Sequence, residues 1–356
     1  MTAFTPRHVL VTGGAGFIGC NFVRQLLRDT GVRTVVTLDL LTYAGRLENL
    51  SDLGTEPRHE FVRGDIRDRE LVERLLREQR IDTIVHFAAE SHVDRSIASP
   101  AAFVETNVIG TYVLLDVARA VWLDERKWTA TDCRFHHIST DEVYGSLGLG
   151  DPAFTEDTPY APNSPYAASK AAADHLVRSY DRTYRLPVVT TNCSNNYGPY
   201  QHAEKFIPTV IHACLEGRPI PVYGDGGNVR DWLYVEDHCR GIDLVLRRGR
   251  LGETYVIGGR TERRNSDIAT LICGVVADLT GRPREELVRL ITYVTDRPGH
   301  DRRYAINPAK IQRELGWSAA ETFETGIRKT VAWYCAHHSA AAPGSASPLL
   351  ARRPSA

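Results

Sequence analysis

Three glycines constrain this chain more than any other feature, because they lie between an apolar β-branched segment and the start of an amphipathic one. They are Gly13, Gly16 and Gly19. Gly13 permits a tight turn, Gly16 lets the main chain approach a diphosphate, and Gly19 lets the helix pack against the strand. A turn that needs positive φ would explain the glycines equally well. The strand before them and the helix after them predict a dinucleotide site, with the diphosphate at the helix N-terminus.

Asp39 strengthens that prediction. It ends the next predicted strand, 20 residues after Gly19. A carboxylate at this place accepts hydrogen bonds from a ribose 2′-hydroxyl and repels a 2′-phosphate. The residue therefore favours NAD over NADP, and the alternative is an aspartate that only caps the strand end.

The chain continues with short β-branched segments that alternate with longer amphipathic ones, which is typical of a parallel sheet with crossover helices. The predicted strands are His8–Thr12, Thr34–Asp39, Glu60–Arg63, Thr83–Ala88, Arg134–Ile138 and Pro187–Asn192. The predicted helices are Phe17–Arg28, Arg69–Arg80, Ala101–Trp122 and Tyr166–Tyr184. The sequence thus predicts an α/β fold, a Rossmann-type doubly wound parallel sheet with a smaller C-terminal substrate-binding lobe.

Turn signals become frequent after residue 194, so we place the lobe boundary there. Residues 1–194 are predicted to form the NAD-binding domain and residues 195–338 mainly the substrate lobe. Residues 229–248 again have a strand-then-helix pattern and could return to the main sheet. Residues 339–356, rich in Ala, Ser and Pro, predict a disordered tail.

The composition excludes several classes of function. Basic residues number 43 and acidic residues 44, so no overall charge attracts nucleic acid or an acidic membrane. No apolar run approaches the length of about 20 residues that a membrane span needs. The 7 cysteines form no Cys-x-x-Cys pair, which argues against a disulfide framework or a metal site and favours the reducing cytoplasm.

Tyr166 and Lys170 are the first candidate catalytic pair. Lys170 comes four positions after Tyr166, so the two side chains share one face of a predicted helix. An adjacent cation favours the phenolate, and we expect Lys170 to lower the pKa of Tyr166 so that it can take a proton from a sugar hydroxyl. In isolation the pair would be an ordinary surface contact, but it follows a dinucleotide pattern in a chain with only five lysines.

Thr140, Asp141 and Glu142 follow the fifth predicted strand, at the edge where ligands bind such sheets. Thr140 is the candidate hydroxyl beside Tyr166. Two adjacent carboxyl groups are costly when both are charged and desolvated, so one is expected to stay protonated as an acid while the other acts as a base. The alternative is a solvated acidic turn that caps a helix.

At this point the sequence resembles a family, the dTDP-glucose 4,6-dehydratases of the extended short-chain dehydrogenase/reductase superfamily. The similarity runs from Val9 to about Tyr334. Further matching segments lie at residues 41–45, 64–66, 86–94, 192–199, 230–232 and 296–301. Several of these segments are long and unusual in composition, which makes the resemblance specific.

The resemblance implies two sets of ligand-binding residues. The cofactor set is Gly13, Gly16, Phe17, Ile18, Gly19, Asp39, Leu40, Leu41, Thr42, Asp65, Ile66, Phe87, Ala88, Ala89, Glu90, Ser91, Thr106, Tyr166, Lys170 and Asn196. The substrate set is Ser91, Thr140, Asn195, Lys205, Phe206, Pro221, Val222, Tyr223, Arg230, Asn265, Asp296, Arg297, Pro298, Gly299 and His300. The cations of the second set suit a diphosphate. Phe206 departs from the aliphatic residue that this family carries there, and residues 123–132 form a longer link.

The implied activity is dehydration of dTDP-glucose to dTDP-4-keto-6-deoxyglucose with NAD, in a homodimer. The helices Ala101–Trp122 and Tyr166–Tyr184 are expected to pair with their symmetry mates in a four-helix contact. A sugar-nucleotide 4-epimerase or decarboxylase shares the fold but needs no acid–base pair for C5 and C6, so Asp141 and Glu142 argue against it. A dehydratase for another nucleotide sugar, and a non-catalytic NAD-binding protein, are the remaining alternatives.

Overall fold

The structure is a computed structural model that describes residues 3–296 and 299–338. The predicted tail, residues 339–356, and the predicted substrate residues Arg297 and Pro298 lie outside the described residues. The strands, in chain order, are β1 His8–Thr12, β2 Thr34–Asp39, β3 His59–Arg63, β4 Thr83–His86, β5 Arg134–Thr140, β6 Val188–Cys193, β7 Asn195–Tyr197, β8 Ile220–Tyr223, β9 Val229–Tyr234, β10 Thr254–Ile257, β11 Glu262–Arg264 and β12 Ile291–Val294.

Seven strands form one parallel sheet in the order β10–β6–β5–β4–β1–β2–β3. The order runs outward in both directions from β1 and β4, which is the doubly wound arrangement. Alternate residues of the first strand serve the two faces, since Leu10 packs in one buried cluster and Val9 and Val11 in another. The predicted fold class is confirmed.

Helices cover both faces of the sheet and build the second lobe. Their bounds are Phe17–Arg28, Arg69–Glu78, Val93–Ala98, Pro100–Glu125, Pro165–Tyr184, Phe206–Glu216, Val235–Arg248, Asn265–Thr280, Arg284–Val288, Ala309–Leu315 and Phe323–His338. The helix Pro100–Glu125 contains two wide π-helical segments, Val104–Gly110 and Arg119–Glu125. The second lobe has its own core, in which Ile207, Ile272 and Ile327 are fully buried.

β7, β8, β10, β11 and β12 were not predicted as strands, and β10 and β9 are the two that bear on the main sheet. β10 was not predicted, because its four residues run directly into Gly258 and Gly259 and resemble part of a turn. β9 does not join the main sheet but pairs with β7 and β11 in a three-stranded sheet. The helix Val235–Arg248 after it does return, and it packs beside the helix Phe17–Arg28 on the main sheet. The division into units 1–194 and 195–338 stays a prediction.

The helix Pro100–Glu125 corrects one expectation. It is 26 residues long and contains an 18-residue window with a mean hydropathy of 1.3, so it is long and apolar enough by composition to cross a membrane, and half of that window is buried. The expectation that no stretch reaches such a length is therefore wrong for this helix. Scattered polar residues interrupt its apolar run, but the mean hydropathy of the window stays high. A core helix that packs against a sheet has the same composition, and Leu114 and Trp122 are fully buried in the main core.

Candidate active site

A cleft of about 320 Å³ opens at the carboxyl ends of β1, β2, β4, β5 and β6. Every predicted cofactor residue except Leu41 lines it, and so do Ser91, Thr140, Asn195 and Lys205 of the predicted substrate set. Asp141 and Glu142 lie on the same wall. The sheet therefore brings together residues that are as far apart in sequence as Gly13 and Lys205.

The glycine loop leaves room only for glycine at two positions. Gly13 has a φ of +71°, and a Cβ there would lie 2.6 Å from the main-chain nitrogen of Ala88. A Cβ on Gly19 would lie 2.3 Å from the main-chain oxygen of Gly13. Both contacts are too short for a carbon atom, so any side chain would displace the loop or the helix Phe17–Arg28. The result is a bare helix N-terminus at the floor of the cleft.

Asp39 is held by the main chain on both of its oxygens. Oδ2 accepts a hydrogen bond from the nitrogen of Ala15 at 3.0 Å, and Oδ1 accepts one from the nitrogen of Leu41 at 2.8 Å. Burial raises the pKa of Asp39, while these two N–H groups oppose that rise. Leu41 differs from the prediction, since its side chain packs against the small cluster that contains Leu50. A positive φ turns Leu41 out of the cleft, so its contribution is the N–H that fixes Asp39.

Thr140 ends β5, and Asp141 begins a short 3₁₀ helix, Asp141–Tyr144. The Thr140 hydroxyl accepts a hydrogen bond from the Glu142 nitrogen at 3.3 Å and donates one to Oδ1 of Asp141 at 3.4 Å. Asp141 is 2% exposed, whereas Glu142 is half-buried. Burial raises the pKa of Asp141 well above its usual range, and the charges of Glu142 and Asp231 raise it further. Burial and the neighbouring carboxyl groups therefore favour the protonated form of Asp141.

Tyr166 and Lys170 lie on the first turns of the helix Pro165–Tyr184. Ser164 caps this helix by accepting from the nitrogen of Ala167 at 3.1 Å, and Pro165 occupies the first turn, where its missing N–H costs nothing. Both side chains of the pair are buried, and Nζ of Lys170 donates to the main-chain oxygen of Ile138 at 2.8 Å.

The expected lowering of the Tyr166 pKa is wrong for this geometry. Burial raises the pKa of Tyr166 well above its usual value, and the charge of Glu142 raises it further. The hydrogen bond with Thr140 acts in the opposite direction. Burial also lowers the pKa of Lys170, so the state of this ammonium depends on the charges around it.

The other predicted substrate residues that the structure describes lie in the second lobe, outside the cleft wall. Arg230 stacks 4.3 Å above the ring of Tyr304 and donates to the main-chain oxygen of Asp301 at 3.0 Å. His300 hydrogen-bonds to Asp296 at 2.6 Å, and its ring meets the edge of Tyr223 at 6.0 Å between centroids. Arg230 lies on β9 and Pro221 on β8, Phe206 and Asn265 each begin a helix of the same lobe, and Gly299 directly precedes His300.

Val222 belongs to the predicted substrate set, but its side chain does not face the cleft. Its side chain is fully buried in the core of the second lobe, among residues such as Val210. Alternation along β8 explains this, because Pro221 is exposed and Tyr223 half-buried on the other face. Only the main chain of Val222 is available to a ligand.

Comparison with known proteins decides the family. The sequence pattern of the GDP-mannose 4,6 dehydratase family matches residues 10–330. The dTDP-glucose 4,6-dehydratase of Salmonella typhimurium is 54% identical over 340 residues, which cover 92% of this chain and 93% of that protein. The enzyme of the same name from Xanthomonas campestris is 57% identical over 329 residues, with 91% and 92% coverage. The chain belongs to the dTDP-glucose 4,6-dehydratase family.

Solved structures agree with this placement. A dTDP-glucose 4,6-dehydratase from Bacillus anthracis, solved in complex with NAD, has a TM-score of 0.82 at 45% identity, covering 94% of this chain and 98% of that one. The one from Streptomyces venezuelae, solved with NAD bound, has a TM-score of 0.83 at 49% identity, with 93% and 98% coverage. A UDP-glucose 4-epimerase from Thermotoga maritima reaches 0.80 at 27% identity, with 93% and 99% coverage. The fold is therefore shared with epimerases, so only the residues of the site can distinguish a dehydratase from an epimerase.

Several residues that line the cleft of this dTDP-glucose 4,6-dehydratase family member were missed by the sequence analysis. They are Leu38, Ala44, Gly45, Gly64, Ile138, Ser139, Cys193, Ser194, Gln201 and His202. Most lie one or two positions from a predicted residue, at the end of the same strand. Gln201 and His202 lie in the segment before Lys205. Only a position at the edge of the sheet could have indicated that they line the cleft.

One group of possible metal ligands lies in the described part of this family member. His212, Glu216 and His338 place one ligand atom each within 4.8 Å of one another. Glu216 is exposed and already ion-paired with Arg218. The group stands on the helices Phe206–Glu216 and Phe323–His338, apart from the cleft.

Proposed function

We propose that this chain converts dTDP-glucose to dTDP-4-keto-6-deoxyglucose and water, as the names of its relatives imply. One observation carries the choice over an epimerase. Asp141, with a pKa raised by burial, lies beside Glu142 in the same cleft as Tyr166. An epimerase has no elimination for such a pair to perform.

The cofactor is NAD, as predicted. Two relatives were solved with NAD, and the cleft of this chain suits it. The bare loop at Gly13 suits a diphosphate, and Asp39, fixed by two N–H groups, suits the ribose hydroxyls of NAD rather than a 2′-phosphate. Bound in the cleft, NAD supplies the hydride acceptor for C4 of the sugar and the hydride donor for C6.

The first half of the reaction is assigned to Tyr166, Lys170 and Thr140. Tyr166 takes the proton of the C4 hydroxyl while the Thr140 hydroxyl hydrogen-bonds to the reacting oxygen. Because burial opposes the phenolate, the positive charge of Lys170 on the same helix is needed to stabilise it. The product of this half is a 4-keto sugar with an acidic C5 proton.

The second half is assigned to Glu142 and Asp141. Glu142 takes the C5 proton, Asp141 gives a proton to the C6 hydroxyl, and that hydroxyl leaves as water. Glu142 then returns its proton to C5. The proton taken by Tyr166 balances the one that Asp141 gave up. The hydride delivered to C6 is the one removed from C4, so the cycle needs no external reductant.

The nucleotide part of the substrate is assigned to the second lobe. Lys205 lies at the mouth of the cleft and donates to the main-chain oxygen of Ser91 at 3.2 Å. Oδ1 of Asn195 is buried with no hydrogen-bond partner in residues 3–296 and 299–338, which suits a ligand hydroxyl or amide. Lys205 and Arg230 supply the positive charge that two phosphates need.

We propose that the active form is a homodimer in the cytoplasm. The helix Pro100–Glu125 exposes Val104, Ile109 and Tyr112, and the end of the neighbouring helix exposes Tyr184. Apolar side chains on two adjacent helices suit a two-fold contact in which each helix meets its mate. All 7 cysteines are free thiols, which suits a reducing compartment.

The test is incubation of the purified protein with dTDP-glucose, followed by a search for the alkaline ultraviolet band of a 4-keto sugar. Formation of that product supports the proposal. Formation of dTDP-galactose instead would favour the epimerase, and tight NAD binding without turnover would favour a non-catalytic protein. A panel with UDP-glucose and GDP-mannose determines the nucleotide preference.

A further inference from the structure

Asp174 lies on the same helix face as the predicted catalytic pair, Tyr166 and Lys170. Tyr166, Lys170 and Asp174 are spaced four residues apart on the helix Pro165–Tyr184, so they share one face. All three side chains are buried, and Asp174 is only 6% exposed. A carboxylate is rarely buried without partners, so its contacts indicate its role.

Four side chains hydrogen-bond to this carboxylate. Nε2 of His137 meets Oδ1 at 3.0 Å. Ser139, Tyr160 and Asn192 donate to Oδ2 at 2.9, 2.8 and 3.2 Å. His137 and Ser139 belong to β5 and Asn192 to β6, so the carboxylate joins the helix to the carboxyl ends of two strands.

The network reaches the reacting side of the cleft through Asn192 and Lys170. Asn192 uses the same amide nitrogen to donate to the main-chain oxygen of Thr140 at 3.0 Å. Lys170 donates to Ile138, two residues earlier on the same strand. The contacts of Asp174 therefore surround the segment from which the candidate catalytic hydroxyl projects.

The charges around Lys170 leave Asp174 as its counter-ion. Burial lowers the pKa of Lys170, and the charge of Asp174 opposes this more than that of Cys193 does. Burial lowers the pKa of His137 to about 4, so His137 is neutral and adds no cation. Burial raises the pKa of Cys193 and of Tyr160, which keeps both groups neutral. Burial raises the pKa of Asp174, but the hydrogen bonds from His137 and Ser139 and the charge of Lys170 act in the opposite direction and hold it below its usual value.

We propose that Asp174 is a positioning residue: its carboxylate, one helical turn from Lys170 and held by four side chains, supplies the negative charge that keeps Lys170 protonated. This rests on the proposed function, in which the charge of Lys170 stabilises the Tyr166 phenolate. A lysine is charged below its pKa and neutral above it. Removing the carboxylate lowers the pKa of Lys170, so the charge disappears at a lower pH.

The direct test is NMR of protein labelled with ¹³C at the lysine Cε position. The chain has only five lysines, so the spectrum holds five signals, and Lys170→Met identifies the one in question. In Asp174→Asn the Lys170 signal is expected to titrate about one to three pH units lower than in the unchanged protein. Asp181→Asn, seven residues further along the same helix, is the matched control and leaves the titration in place. An unmoved Lys170 midpoint in Asp174→Asn overturns the proposal.

The kinetic test follows NADH formation after rapid mixing with dTDP-glucose, from about pH 6 to about pH 9. In Asp174→Asn the basic limb of this rate is expected to move to lower pH, with about a tenfold loss for each pH unit above the new midpoint. Tyr160→Phe removes one hydrogen bond but no charge, so it lowers the rate without moving the limb. A uniform loss at every pH in Asp174→Asn would mean that Asp174 acts only through packing.

A double variant keeps the proposal testable if Asp174→Asn folds poorly. The single change leaves a buried ammonium without its counter-ion, which is strongly destabilising, whereas Asp174→Asn with Lys170→Met leaves no buried charge. The double variant is therefore expected to unfold at a higher urea midpoint than the single one. Equal midpoints would contradict charge pairing. The NMR and unfolding measurements need no sugar substrate, so their failure is distinct from failure of the proposed activity.

Discussion

The Thr140 hydroxyl lies 3.4 Å from Oδ1 of Asp141, to which it donates a hydrogen bond. These neighbours serve different steps in the proposed cycle, since Thr140 assists oxidation at C4 and Asp141 protonates the leaving group at C6. The sugar therefore needs little movement between the two steps. The contact also stabilises the charged form of Asp141, but burial and the charge of Glu142 outweigh it.

The raised pKa of Asp141 predicts the pH dependence of turnover. The protonated form is the active acid, so activity should persist through neutral pH and fall as the pH rises through the raised pKa of Asp141. Steady-state kcat between about pH 6 and about pH 10 measures this. Asp141→Asn should lower kcat by about 10²–10⁴-fold and flatten the basic limb. An unchanged basic limb in that variant would assign the ionisation to another group.

Blocking elimination while leaving oxidation intact should trap the reduced cofactor. In Asp141→Asn with Glu142→Gln, the C4 step can proceed but no base or acid remains for C5 and C6. Enzyme-bound NADH should therefore accumulate in a single turnover, measured by its absorbance. Exchange of the C5 proton with solvent deuterium should also slow. Normal dehydration by this variant would mean that the two carboxyl groups form only a solvated turn.

Tyr166→Phe should have the opposite signature. The variant keeps the ring and its packing against Phe103 but loses the hydroxyl that accepts the C4 proton. Mixing with dTDP-glucose should give little NADH, with a rate about 10²–10⁴-fold below that of the unchanged protein. Substrate affinity, measured by calorimetry, should change much less. Rapid NADH formation in Tyr166→Phe would transfer the role of base to another group.

Cofactor selectivity should depend on Asp39. Asp39→Gly with Leu40→Arg removes the carboxylate and places a cation at an exposed position of the cleft wall. The preference for NAD over NADP, measured as the ratio of dissociation constants, should fall. Leu40→Arg alone is the control and should keep the preference. Purification of the unchanged protein with NADP bound would contradict the role of Asp39.

The proposed homodimer should depend on the exposed face of the helix Pro100–Glu125. Sedimentation of the unchanged protein should give twice the chain mass of 39.7 kDa. Val104→Asp with Ile109→Lys puts charges on side chains that are 51% and 46% exposed, so it should shift the protein towards monomer. Leu149→Lys, 65% exposed in a distant loop, should not. A monomer at micromolar concentration for the unchanged chain would exclude the dimer.

The cofactor half of the fold was predictable because its signals are local. Gly13, Gly19 and Asp39 each serve a neighbour within the same βαβ unit, so their spacing along the chain reflects their spacing in space. β10 was not predictable, because its place beside β6 depends on a long-range pairing. The burial of the Val222 side chain was not predictable for a similar reason, since only the packing of the second lobe decides which face of β8 is buried.

The positions of the candidate catalytic residues were predictable from the sequence, but their ionisation was not. The spacing of Tyr166 and Lys170 placed them on one helix face, as the structure has it. Their pKa values depend on burial and on groups from elsewhere in the chain, since Glu142 raises the pKa of Tyr166 and Asp174 opposes the lowering of the pKa of Lys170. Asp174 shows the same limit, because its spacing was visible in the sequence but its four partners were not.

The π-helical segment Val104–Gly110 restricts how this enzyme can gain or lose residues. Such a turn holds one residue more than an α turn. Asn107 within it hydrogen-bonds to Ser169 on the helix of Tyr166, and Thr111 just after it contacts His86 of β4. Deleting one residue would rotate one contact about 100° relative to the other, so both could not form. Insertions and deletions are thus confined to other places, such as the link that follows the helix Pro100–Glu125.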